Sequence, residues 1–312
     1  MFPRPSAAVL VVFGVIACAF IWGTTWYAIT LQLGTVDPIA SITWRFGLAS
    51  VVLFALCLIT RRPMKLPKGA HLAAAGQGLF TFAIDYAFVY WAEERIASAV
   101  VAVLFAGLAF LNLFLFRWVL GQPAARSAWI GAFLGLVGVG VLSASELLKA
   151  ELAPTAALGL TFAIIAVLGA GVGNLFAWKG QQTGVLVIPQ TAWSMAYGTG
   201  FLVIYGLITG VDWQVENTPA YWLSLLHLSL FGSVVAFLIY FWLARSRGYA
   251  LASYISALTP PIAMLVSVLF EGARFGVGAL LGLGLVLAGQ ALLIRAPKPG
   301  GRDLTKPAGE PT

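Results

Sequence analysis

The sequence predicts an all-α integral membrane protein of ten transmembrane helices, arranged as two inverted five-helix halves with both termini in the cytoplasm. Three observations predict it: apolar runs about 20 residues long, short connections between them, and a strong bias in where basic residues fall. Hydrophobic residues make up 61% of the chain and charged residues 9%, with a mean hydropathy of +0.95. An ordinary soluble domain has about 25% charged residues, so a water-soluble fold of this length cannot hide so much apolar surface. The alternating strands of about ten residues that a membrane barrel needs are absent.

The spans read in order as 8–29, 38–60, 70–91, 97–119, 127–144, 155–178, 185–208, 220–244, 250–270 and 275–294. Span 1 is an unbroken apolar run. Asp37-Pro38 opens span 2, and Arg61-Arg62-Pro63-Met64-Lys65 separates it from the aromatic-rich span 3. Ala97-Ser98-Ala99 restarts the chain as span 4, and span 5 follows as WIGAFLGLVGVGVLSA. Span 6 is again apolar, span 7 begins near Ile188-Pro189, and span 8 is rich in aromatics. Ala250-Leu251-Ala252-Ser253 restarts it as span 9, and span 10 is GALLGLGLVLAGQALLIR. From Pro297 the tail is rich in Pro, Gly and charge, which predicts a disordered cytoplasmic segment over 296–312.

Fourteen lysines and arginines fall on the side that holds both termini, against three on the opposite side. The positive-inside rule therefore puts both termini in the cytoplasm. The net charge of +7 reads as topology, because the basic residues are dispersed, and no nucleic-acid partner is expected. Cys18 and Cys57 lie inside spans, so neither a disulfide nor a metal site is expected, and no cofactor. Val15-Ile16-Ala17-Cys18 looks like a lipoprotein cleavage box, but the apolar helix continues past it to Ala28.

Five spans precede about Ser145 and five follow about Pro154, giving halves at 8–145 and 154–295. An odd number per half inverts the second copy in the membrane. The halves echo one another: Pro38 against Pro189, Trp91 and Ala97-Ser98-Ala99 against Trp242 and Ala250 to Ser253, span 5 against span 10. Alternating-access carriers are built in this way, with cargo held at the repeat interface.

Several motifs then form a recognisable series: Trp22-Gly23-Thr24, Pro38 with Arg45-Phe46, the run Gly131, Gly135, Gly138, Leu258-Thr259-Pro260 with a following Glu271, and the Gly-rich span 10. In this series the chain resembles the drug/metabolite transporter superfamily, specifically bacterial exporters with two EamA-type repeats. The acid in span 3 and the Trp/Tyr-rich helices look most like the YddG-type amino-acid exporters. Gly107 stands where the family usually has proline, and Leu120-Gly121-Gln122 where Leu-Gly-Glu is usual. The resemblance implies a bacterial inner-membrane location and a central cavity framed by spans 1–4 and 6–9, with spans 5 and 10 at the periphery. Gly-rich spans 5 and 10 predict close packing against a neighbour. A homodimer face at Gly278-x-x-x-Gly282 stays open as an alternative.

Ionisable residues inside spans mark function or pairing. Arg45, Asp85 and His227 fall at one depth, about 10 Å from the outer ends of their spans at 1.5 Å per residue. One reading is an Arg45–Asp85 structural pair. The other has Asp85 bordering the cavity and orienting the ammonium of an amino acid, with His227 as a polar contact or proton acceptor. Helical faces add Phe82 beside Asp85, Trp22 with Trp26, Asn174, Trp193 with Tyr197, and Tyr254 in span 9. Pro260-Pro261 removes two backbone donors mid-span and predicts a gating bend.

The predicted function is secondary export of small metabolites, neutral or aromatic amino acids foremost. Multidrug and nucleotide-sugar carriers are the rival transport readings. No HExxH, GxSxG, phosphate loop or aspartate pair supports an intramembrane enzyme.

Overall fold

The structure is a computed structural model that describes residues 7–149, 154–247 and 249–295. The predicted tail and the side chain of Tyr254 lie outside the described residues. Helices account for the regular structure, with no strand among the described residues. They are α1 (Ala7–Thr30), α2 (Pro38–Ile59), α3 (Lys68–Glu93), α4 (Ser98–Leu120), α5 (Arg126–Lys149), α6 (Pro154–Gln182), α7 (Val187–Thr209), α8 (Pro219–Ser246), α9 (Tyr249–Phe270) and α10 (Val277–Arg295). Seven are long and apolar enough to cross a membrane. The apolar parts of α5, α9 and α10 are shorter among the described residues: Arg126–Leu142, Leu258–Phe270 and Val277–Leu292.

Local chemistry sets the helix ends. Asp37 accepts the backbone N–H of Ile39 at 2.8 Å, with Pro38 in the first turn, where its missing donor costs nothing. Thr218 and Pro219 repeat the arrangement at the start of α8. Gly121 and Gly210 end α4 and α7 in the left-handed conformation. Outward-facing Phe13, Ile59, Trp118, Phe133 and Leu207 are exposed, as a hydrocarbon solvent requires.

The helix pairings come in matched sets. α1 packs on α9 and α6 on α4, α3 on α7 and α8 on α2, α3 on α6 and α8 on α1, while α2–α7 and α5–α10 are mutual pairs. The α5–α10 pair is the most extensive. A Cβ on Gly138 would lie 2.7 Å from the Gly282 carbonyl, and one on Gly289 would lie 2.5 Å from that of Gly131. The two glycine faces are therefore occupied by each other within one chain.

The sequence pattern does not show one feature. α3 carries a π-helical segment at Gly78–Asp85, and α8 carries one at His227–Val235. In a π segment each N–H bonds five residues back, and such segments concentrate at functional sites. At the expected bend, the helical path of α9 runs through Pro260 and Pro261. α1 meets it there through Gly23, where a Cβ would stand 2.4 Å from Ile262.

Candidate functional site

The bundle encloses a cavity of about 90 Å³, room for a handful of waters at about 10–15 Å³ each. Trp22, Thr25, Trp26 and Ile29 of α1 line one side, and Thr81, Asp85, Tyr86 and Val89 of α3 another. Phe105, Asn174, Phe237, Tyr240 and Thr259 complete most of the wall. Of the residues named from sequence, Asp85, Trp22, Trp26 and Asn174 meet here.

Asp85 closes the π segment and is 4% exposed, and its Oδ1 has no protein partner. Two further lining atoms share that condition, Thr81 Oγ1 and Trp26 Nε1. Leaving a buried polar atom unmet costs about 1–3 kcal/mol, so three around one cavity mark a place built to receive polar groups. The backbone explains why they stand there. A Cβ on Gly173 of α6 would fall 1.9 Å from Thr81 Oγ1, so only a glycine lets this hydroxyl come so close to α6.

The rest of the lining is aromatic and largely self-satisfied. Trp22 donates its Nε1–H to the Gly232 carbonyl at 3.1 Å. Its ring lies 5.2 Å from Phe237 and 5.3 Å from Tyr240. Trp26 packs on Phe105 at 5.1 Å. Asn174 donates to Asn112 Oδ1 at 3.2 Å, beside the Tyr240 hydroxyl. The lining holds one carboxylate and no Lys, Arg or His.

The proposed Arg45–Asp85 pair does not form. Arg45 is 1% exposed and donates from Nε to Ser233 Oγ at 3.0 Å and from an Nη to the Tyr86 hydroxyl at 3.5 Å. Its guanidinium sits 4.5 Å from the Tyr86 ring centroid and 5.2 Å from that of Phe46. Asp85 is not among its hydrogen-bond or ion-pair partners, and Nη1 has none. A planar cation over an aromatic face is attracted by the ring quadrupole, so the tyrosine and the serine hold the arginine.

Four other named residues lie away from the cavity lining. Phe82 is fully buried between Phe46 and Phe237, at 5.0 Å from each. Across a π segment, α-helical spacing no longer keeps it on the face of Asp85. His227 exchanges a hydrogen bond with Thr24 at 3.1 Å and leans on Phe231. Trp193 and Tyr197 belong to a cluster toward the opposite end of the bundle. Trp193 donates to the Met64 carbonyl at 2.8 Å and packs on Phe54 and His71, while Tyr197 hydrogen-bonds His71 at 3.0 Å. This cluster fastens the α2–α3 connection to α7.

Sequence reasoning passed over Thr81, Tyr86, Phe105, Phe237 and Tyr240. Thr81 carried a usable signal, four residues before Asp85. The aromatics did not, since such residues also line lipid and core.

The comparisons agree with this architecture. The family model of the EamA-like transporter family matches residues 9–144 and 157–295. The chain is 26% identical over 278 residues to the uncharacterized inner membrane transporter YedA of Escherichia coli (strain K12), covering 87% of this chain and 86% of that protein. It is 23% identical over 283 residues to the uncharacterized transporter YoaV of Bacillus subtilis (strain 168), covering 90% and 95%. Protein PecM of Dickeya dadantii (strain 3937) is 23% identical over 278 residues, covering 88% of each. A solved structure, described only as the crystal structure of a protein, shares the fold with a TM-score of 0.69 at 19% identity, covering 92% of this chain and 98% of that one. With both halves matched and the helical membrane architecture in place, the chain belongs to the EamA-like transporter family.

Proposed function

We propose that the protein is a secondary carrier that exports small metabolites, neutral and aromatic amino acids foremost, across the bacterial inner membrane by alternating access. The observation that carries this is the unpartnered Asp85 carboxylate in an aromatic-walled cavity. An ammonium meets the carboxylate, and an apolar side chain meets Trp22, Phe105 and Phe237. Hydrogen bonds to charged groups contribute about 1.5–3 kcal/mol, enough to select an amine-bearing cargo. The matched helix pairings and the two π segments support two inverted halves at 8–145 and 154–295. The skew of basic residues supports cytoplasmic termini.

A second reading is favoured by the lining itself. With one carboxylate and no base, the cavity also suits a lipophilic cation, and it argues against a nucleotide sugar with two negative phosphates. The test is flux into liposomes of labelled neutral amino acids, comparing the native chain with Asp85→Asn. Saturable flux lost in the variant supports the amino-acid reading. Absence of amino-acid flux, with binding of an aromatic cation that amino acids fail to displace, would move the assignment to drug export.

A further inference from the structure

We propose that Trp26 and Thr81 form a carboxylate-binding subsite beside Asp85, an inference that rests on the amino-acid reading of the cavity. The cavity then takes the whole α-amino acid group and discriminates against an amine that lacks the carboxylate. Three lining side chains carry a polar atom without a protein partner: Trp26 Nε1, Thr81 Oγ1 and Asp85 Oδ1. All three are deeply buried, at 9%, 5% and 4% exposure in that order. An indole N–H only donates, an ionised carboxylate only accepts, and a hydroxyl does either. These unmet groups therefore ask for one ligand that carries both a cationic donor and an acceptor.

The other polar groups of the lining are engaged within the protein. Thr25 donates to the Trp22 carbonyl and Thr259 to that of Ile255, both at 2.8 Å. The Trp22 N–H goes to Gly232, Asn174 donates to Asn112, and the Tyr86 hydroxyl receives Arg45. Arg45 itself is not in the lining; it stacks on the Tyr86 ring, which is. With no Lys, Arg or His in the wall, the anionic end of a ligand has to be met by neutral donors. Trp26 and Thr81 are the lining donors left without a partner.

The fold brings these groups to one level. Asp85 and Phe105 lie about two helical turns from the α3–α4 connection, one on each side of it. The Trp26 ring packs on Phe105 at 5.1 Å, and Thr81 shares the π segment of Asp85. A Cβ on Gly169 of α6 would lie 3.4 Å from the Asp85 Cα, as one on Gly173 would meet Thr81. α6 thus backs this part of α3. The cavity measures about 90 Å³, so a single small molecule reaches from the α1 wall to the α3 wall. An amine without a carboxylate satisfies Asp85 and leaves the Trp26 N–H buried with no acceptor. Sites built around a hydrogen bond reject the analogue that cannot make it, because their own buried groups are left unpaired.

The test is equilibrium binding to the purified full chain in lipid nanodiscs, with labelled phenylalanine and labelled phenylethylamine, the same molecule without its carboxylate. The native chain should bind phenylalanine at least about tenfold more tightly, the loss expected for one unmet donor. In Trp26→Phe, which keeps an aromatic ring against Phe105, that preference should collapse. It should do so through weaker phenylalanine binding, with the amine unchanged. Should Trp26→Phe misfold, Thr81→Val removes the second donor and should narrow the preference as well. Equal affinities in the native chain, or a preference that survives in every folded variant, would overturn the subsite and leave the amino-acid reading standing. If the native chain binds neither ligand, or the amine alone, the amino-acid reading falls and the subsite with it.

Discussion

The Arg45 guanidinium lies 4.5 Å from the ring centroid of Tyr86 and 3.5 Å from its hydroxyl, one residue beyond the acid with which one of the two sequence readings paired it. The arginine is thus a strut between α2, α3 and α8, and Asp85 is left at the cavity without a protein partner. Lysine cannot reproduce a planar stack with a directed fork of donors. Arg45→Lys should lose about 1–3 kcal/mol of stability, read as a lower midpoint of thermal unfolding in detergent. A lysine variant as stable as the native chain would contradict the strut.

Thr81 offers the opposite trade. Its hydroxyl is buried without a partner, and replacing an unmet polar atom by an apolar one of the same shape is neutral or stabilising. Thr81→Val should therefore unfold at the same temperature or higher, while cargo flux falls about tenfold, the equivalent of one lost hydrogen bond of about 1.4 kcal/mol. Unchanged flux would remove Thr81 from the cargo path.

Trp193→Phe distinguishes the cavity from the cluster at the other end. It removes the 2.8 Å bond to the Met64 carbonyl and keeps an aromatic ring near His71. Cargo affinity should stay within about twofold, well under one hydrogen bond. Hydrogen exchange in the α2–α3 connection should become faster. A large loss of affinity with the connection still protected would return Trp193 to the cargo path.

The glycine pair makes a paired prediction. Gly282→Ala places a methyl 2.7 Å from the Gly138 carbonyl, whereas Gly284 has open space around it. Gly282→Ala should destabilise by about 1–3 kcal/mol. Gly284→Ala should be neutral or slightly stabilising, since alanine is the better helix former. Equal unfolding midpoints would refute the close α5–α10 contact.

Much of this was legible in the sequence, for identifiable reasons. Long apolar runs and caps such as Asp37-Pro38 are local signals, and they placed the helices within a few residues of their observed ends. Asp85, Trp22 and Asn174 stood out because polar or amphipathic groups inside an apolar run need a destination. The register of α3 was hidden. Phe82 and Asp85 share a face on a regular helix, but the π segment between Gly78 and Asp85 breaks that spacing and sends the phenylalanine into the core. The partner of Arg45 was equally invisible: depth placed it level with Asp85, while direction, which sequence spacing does not encode, turned it toward Tyr86 and Ser233. Trp193 and Tyr197 were read onto the cavity from helical spacing, and the structure places them instead in the cluster with Met64 and His71, because spacing gives a face but not which neighbour that face meets.

The π segments have a consequence for how these helices tolerate changes in length. Each one absorbs a residue that a regular α-helical path would not accommodate, so α3 and α8 each carry slack in their register. Removing one residue from Gly78–Asp85, such as Ala83, lets α3 close up as a continuous α-helix with its two ends still joined to the same neighbours. Such a deletion should leave the chain folded, with the turns on either side still facing their native neighbours, and re-aim only the residues within the segment. Thr81 and Asp85, which belong to it, are the cavity residues that would change their facing. In most membrane helices a single deletion scrambles everything downstream of it; in α3 it would act as a dial, separating a chain that still folds from one that still transports.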